Sequence, residues 1–96
     1  MRLEWSAWAR ADREAIFDYI EADNPRAAVA VDKRLADRVR TLRRLPWSGR
    51  PGRVEGTREL VISRTPYIVA YRVVGDTVRV LRVLHSSRLW PDHMPD

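Results

Sequence analysis

The stretch from Gly56 to Trp90, GTRELVISRTPYIVAYRVVGDTVRVLRVLHSSRLW, constrains the fold more than any other part of the chain. Three runs rich in Val, Ile, Leu and Tyr follow one another, divided by Thr65-Pro66 and then by Gly75-Asp76. β-Branched and aromatic residues fit a pleated surface, and runs of this length between turn residues predict a three-strand antiparallel meander. Alternation then assigns the faces. Leu60 and Ile62 share one face of the first strand, with Glu59, Val61 and Ser63 on the other. In the second strand Tyr67, Val69, Tyr71 and Val73 oppose Ile68, Ala70, Arg72 and Val74. Both sets are largely apolar, which predicts a central strand covered on both sides. In the third strand the apolar phase shifts from Val78 and Val80 to Leu81 and Val83. Either both faces are buried there or a bulge switches the register. Arg79 and Arg82, three apart, point to opposite faces of an unbulged strand.

The N-terminal half must supply what packs on this sheet. Met1 to Trp5 alternates apolar with charged residues and fits an edge strand. Ser6 is suited to cap a helix. After it Trp8, Ala11, Ala15, Ile16 and Tyr19 recur at helical spacing, and Phe17 and Ile20 widen the stripe. Aromatics of small domains are mostly buried, so Trp8 and Tyr19 are expected in the core. Asp23-Asn24-Pro25 breaks this helix, because the residue before proline avoids helical geometry while proline suits the first helical position. Ala28, Val31, Leu35, Val39 and Leu42 carry a second stripe, ended by Pro46. Two helices with so short a break predict an antiparallel hairpin. Pro46 to Thr57, with three glycines and two prolines, is a connector. It lacks the spacing of a Walker or GxGxxG loop. Its Arg50 and Arg53 are expected to be exposed and within reach of a partner.

A chain of 96 residues forms one domain, spanning residues 1–96. It has no cysteine, which removes disulfides and thiol catalysis together. No apolar run approaches the roughly 18 residues of a membrane span. The N-terminus carries charges where an export signal is apolar. These features predict a cytoplasmic protein without membrane contact.

The net charge of +5 points to an acidic partner, and its distribution is uneven. Residues 1–37 hold six basic side chains against eight acids, whereas residues 38–64 hold eight arginines against Glu55 and Glu59 alone. Two histidines without cysteine or helical spacing make no metal site, and no cofactor is expected. No nucleophile elbow is present. Direct DNA readout by the helical pair is disfavoured, because the second helix needs its apolar stripe for the core. The most suggestive cluster is His85 with Arg82 and Arg88 at a strand end. A histidine moves protons near neutral pH and arginines stabilise phosphate charge, so RNA cleavage is one reading. The favoured reading is that His85 caps the strand while the arginines bind carboxylates of a partner.

The order and wording of these segments resemble the RelE/ParE superfamily of bacterial type II toxins. The residues that carry the resemblance are YIEADNP (Tyr19 to Pro25), LPWSGRPGRVEGTREL (Leu45 to Leu60), TPYIVAYRV (Thr65 to Val73) and VRVLRVLHSSRLWP (Val78 to Pro91). The resemblance implies an α+β fold of β-α-α-β-β-β order, with a helical hairpin on a twisted, mainly antiparallel sheet. It also implies a neutralising antitoxin, acidic and partly disordered, with a DNA-binding region. RelE-like members resemble ribosome-dependent mRNA endonucleases with basic side chains on the open sheet face. ParE-like members are taken to poison DNA gyrase without cleaving anything themselves. Alignment with the nuclease pattern puts Glu59, Val61 and Ile68 where that subgroup carries basic residues, and Ser86 near its third-strand arginine. The GTREL and VLHSSR wording is similar to the ParE-like, plasmid-stabilisation side. The resemblance therefore implies a gyrase inhibitor with no catalytic residue; the alternative is an mRNA nuclease using His85, Arg82 and Arg88. Residues expected to bind the target or the antitoxin are Arg58, Arg72, Arg82, His85, Arg88 and Trp90.

Overall fold

The computed structural model describes residues 1–95. Strand β1 (Arg2–Trp5) leads into helices α1 (Ala7–Glu21) and α2 (Pro25–Arg40), the latter closed by a 3-10 turn at Thr41–Arg43. A two-residue strand β2 (Arg50–Pro51) precedes β3 (Arg58–Val61), β4 (Tyr67–Val74) and β5 (Thr77–His85). One sheet of order β1-β5-β4-β3-β2 results. The three meander strands are antiparallel as predicted, and β1 joins β5 in parallel, Arg2 opposite Thr77 and Trp5 opposite Val80. The β4–β5 hairpin closes on Gly75 at φ 58°, the left-handed geometry that a two-residue turn of type II′ demands at its first position.

The hairpin α1–α2 covers one face of the sheet. Leu35, Val39 and Leu42 pack there against Leu60, Ile62, Val69, Tyr71, Val78 and Val80. A smaller apolar cluster occupies the opposite face, where Val54 and the C-terminal residues Trp90 and Met94 meet Ala70 and Leu81. Strand β4 is thus covered on both sides, as its two apolar sets require. The phase shift in β5 is a bulge: Tyr71 pairs with Val80 but Ala70 with Arg82, which leaves Leu81 as the extra residue. The bulge turns Leu81 toward the smaller cluster and keeps Val78, Val80 and Val83 in the main core. It also changes the arginine parity. Arg79 stands opposite Arg72 and Arg82 opposite Ala70, positions on one face of β4, so the two arginines are not split as an unbulged strand would split them.

The start of α1 is fixed by polar contacts to the bulged strand. Ser6 is buried and caps the helix as expected, its Oγ accepting from Ala9 N at 3.0 Å. The same Oγ donates to Leu81 O at 2.8 Å, and Ser6 N donates to Val80 O at 2.9 Å. One and a half turns later the Asp12 carboxylate accepts from Val83 N at 2.9 Å. Strand β1 pairs with β5 only as far as Val80, so α1 satisfies the backbone edge that β1 leaves open. This anchoring rotates the buried stripe. Ala9, Ile16 and Ile20 face the core, whereas Trp8 is 54% and Tyr19 74% exposed, contrary to the sequence expectation. Each residue advances a helix by about 100°, and locking Ala9 onto β5 shifts the face by one position. Inward-edge positions go to two charged residues, Asp12 and Arg13, whose partners are Arg82 and Asp32.

Candidate functional site

The six residues singled out in sequence lie in four places. Arg82, His85 and Arg88 line one open cavity of about 570 Å³ between α1 and the β4–β5 end of the sheet. Helix α1 supplies Ala15, Ile16 and Tyr19 to its wall, and Tyr67 starts the facing strand. Trp90 is elsewhere, in the cluster on the opposite sheet face, with the Arg53 guanidinium 3.6 Å from its ring centre. It is tied to the cavity residues through backbone: Nε1 donates to His85 O at 3.2 Å. Arg58 and Arg72 lie away from the cavity, Arg58 at the Trp47 turn and Arg72 opposite Arg79.

Within the cavity the charges are unequally available. Arg82 is held by Asp12 in a two-pronged pair, Nε to Oδ2 at 2.7 Å and Nη2 to Oδ1 at 2.9 Å. That hydrogen bonding raises the Arg82 pKa above its ordinary value despite burial, so the guanidinium is a fixed structural charge. His85 packs its ring edge against Tyr67, centres 5.7 Å apart and planes at 86°. Its Nδ1 accepts from Ser87 N at 3.1 Å and lies 2.8 Å from Ser87 Oγ. An Nδ1 that accepts leaves Nε2 as the ring's donor. Burial pushes the Tyr67 hydroxyl up, Tyr19 adds to this and Arg88 opposes it, so the phenol stays protonated at neutral pH. Arg88 and Leu89 are exposed, Leu89 at 98%. The result is a surface with one exposed cation, two phenols and an apolar wall beside the Asp12–Arg82 pair, and it can grip a chain.

The residues set by alignment against the nuclease pattern share the opposite face. Val61 stands opposite Ile68, and Glu59 opposite Ala70. Glu59 is 3% exposed, which nothing in its local sequence announces. Its Oε1 accepts from Arg50 Nε and Nη2, and its Oε2 from Arg53 N and Nε, at 2.8–3.2 Å. Arg50 and Arg53 are exposed as expected, and their bonds to Glu59 also fasten the connector to β3. Sequence reasoning also missed Asp12, whose partner Arg82 is 70 residues away.

Burial pushes the Glu59 carboxyl up, but the bonds from Arg53 and Arg50 outweigh it and hold the pKa below the ordinary value. A folded pKa below the unfolded one gives stability that is present above the unfolded value, about 4.3, and lost as pH falls through the folded value. Glu59→Gln should therefore lose about 1–2 kcal/mol at pH 7, since charged hydrogen bonds are involved but both arginines are half-exposed. Urea unfolding at pH 7 and pH 3 checks this: the gap between variant and parent should close at the lower pH.

With this geometry in place, comparison with known proteins is decisive. The model of the ParE toxin of type II toxin–antitoxin systems, parDE, matches residues 3–90. The chain belongs to the ParE toxin family. Among relatives, "Putative toxin Y4kP" of Sinorhizobium fredii (strain NBRC 101917 / NGR234) is 43% identical over 90 residues, 94% of this chain and 93% of that protein. "Toxin RelE2" of Caulobacter vibrioides is 36% identical over 88 residues, covering 92% and 98% of the two chains. A solved structure, "Chromosomal ParDE TA system from P. aeruginosa", superposes with a TM-score of 0.82 at 31% identity, covering 88% of this chain and 95% of that one. The fold, a helical hairpin on a mainly antiparallel sheet, agrees with the α+β class that the resemblance implied, and the two-residue strand β2 is an addition to the expected β-α-α-β-β-β order.

Proposed function

We propose that this ParE-family toxin inhibits DNA gyrase in the cytoplasm and is neutralised by a cognate antitoxin. The observation that carries the reading is the face bearing Glu59, Val61 and Ile68. A phosphodiester placed there would meet a buried carboxylate already bonded to Arg50 and Arg53, flanked by the aliphatic pair Val61 and Ile68. Neither binds phosphate nor stabilises the charge of a cleavage transition state. No residue is assigned a catalytic role. The gripping surface in this reading is the cavity mouth of Tyr19, His85, Arg88 and Leu89, which offers apolar area and one guanidinium to a protein chain.

The antitoxin is expected to be an acidic, partly disordered chain with a DNA-binding region. The similar structure is itself titled a ParDE system, which supports such a partner here. No helix among the described residues is long and apolar enough to cross a membrane, in keeping with a target inside the cell.

A second reading is an mRNA nuclease. It is favoured by the meeting of His85, Arg88 and two tyrosines in one cavity, and by the name RelE2 of the Caulobacter relative. Ribosomes programmed with a defined message separate the two. The message should stay intact in the presence of the purified toxin. Codon-linked cuts, abolished by His85→Ala in a variant that keeps its fold, would establish the nuclease instead.

A further inference from the structure

The turn after α2 carries a surface that neither the cavity nor the Glu59 network uses. From Arg38 to Val54 the chain contains six arginines and no acid. Arg40 is paired with Asp37, and Arg50 and Arg53 with Glu59. Arg43 and Arg44 are exposed and have no ion-pair partner among the described residues. Trp47 follows them and is 63% exposed.

This turn is rigid although it is exposed. Tyr71, fully buried in the sheet, donates its hydroxyl to Pro46 O at 2.8 Å and accepts from Gly49 N at 2.9 Å. Gly49 lies so close that an added Cβ would fall 2.6 Å from the Tyr71 hydroxyl. From β3, Arg58 donates through Nη2 to the carbonyls of both Trp47 and Gly49. Its guanidinium lies 5.4 Å from the centre of the Trp47 ring. Arg58 bonds only carbonyl oxygens, its Nε is buried without a partner, and no described carboxylate pairs with it. Its guanidinium therefore keeps a charge that no neighbouring acid neutralises, and this adds to the positive potential of Arg43 and Arg44.

We propose that this turn is a contact surface for single-stranded nucleic acid, with one base stacked on Trp47 and the adjoining phosphates bonded by Arg43, Arg44 and Arg58. The ring is held in place before binding and has guanidiniums on its flank, which is how proteins stack bases while following a backbone. A flat aromatic at the tip of a turn suits a base. An acidic helix would instead need an apolar groove, and the cavity beside His85 and the one beside Arg13 are both lined by α1, away from this turn. The surface is separate from the gyrase reading and does not depend on it.

Fluorescence anisotropy of labelled 12-mers of thymidine DNA, uridine RNA and duplex DNA, with the intact toxin, tests this. A single strand should bind more tightly than the duplex, and the two single strands tell a DNA ligand from an RNA one. Three phosphate contacts predict a slope of about −2 in log affinity against log salt. Trp47→Ala should weaken binding about tenfold, and Trp47→Tyr should restore most of it. Arg43→Gln and Arg44→Gln should each weaken it several-fold. Arg26→Gln, at the other end of α2, removes the same charge and should change it less than twofold. All four side chains are solvent-exposed, so unfolding curves should match the parent. The proposal is overturned by any of three results: no binding at 50 mM salt, affinity indifferent to Trp47→Ala, or equal affinity for a polyglutamate chain.

Discussion

Replacing Tyr71 by alanine should leave little folded protein at 25 °C. The side chain is fully buried and is the largest in the core, between Leu60, Val69 and Val80. Truncating a buried aromatic costs about 3–5 kcal/mol through lost burial and the cavity it leaves. A domain this small has a total stability at the low end of about 5–15 kcal/mol. The same change strips partners from Pro46 O and Gly49 N, so the turn between α2 and β2 loses its tether as well. Tyr71→Phe separates the two effects. It keeps the ring, and should lose about 1–2 kcal/mol while freeing the Gly49 amide. Urea unfolding followed by circular dichroism measures the first quantity, and hydrogen exchange at Gly49 the second. A Tyr71→Phe variant with an unchanged exchange rate would mean that the hydroxyl does not hold the turn.

Asp12→Ala should be the next most damaging change, at about 2–4 kcal/mol. Breaking a buried ion pair costs about 3–5 kcal/mol, and some discount is due because the Asp12 and Arg82 side chains are 15% and 19% exposed. The substitution strands the Arg82 guanidinium and leaves Val83 N without its acceptor. Asp12→Asn retains an oxygen for Val83 N and should cost roughly half as much. Because the two residues act as a unit, the Asp12→Ala, Arg82→Ala double variant should lose about 1–3 kcal/mol less than the sum of the singles. Strict additivity would contradict the coupling drawn here between α1 and the edge of β5.

Those two residues show where sequence reading works and where it stops. The meander was legible because β4 alternates apolar side chains on both faces, and the phase shift in β5 left a bulge as one of two readings, the one the structure adopts. Ser6 and Asn24-Pro25 marked their helix starts through local chemistry, each with its side chain accepting from the amide three residues on. The register of α1 was not legible. A hydrophobic count treats Asp12 and Arg13 as outward-facing, while their positions are decided by Arg82 and Asp32, at separations no local pattern encodes. The burial of Glu59 is hidden for the same reason, since its partners come from the connector. Of the site, the sequence placed Arg82, His85 and Arg88 at one strand end, and they do line one cavity. It did not reveal that Arg82 is committed to Asp12, or that Trp90 and Arg58 serve other surfaces.

In the proposed reading the cavity mouth holds a protein, with Arg82 already committed to Asp12. The measurement that tests this most directly is the state of supercoiled plasmid incubated with DNA gyrase, ATP and the purified toxin, then opened with detergent and protease. Trapped gyrase–DNA complexes should appear as linear plasmid, in amounts rising with toxin and falling when Arg88→Ala and Leu89→Ala are combined. Plasmid supercoiled to the same extent with and without toxin, under conditions where the toxin arrests growth, would contradict the account.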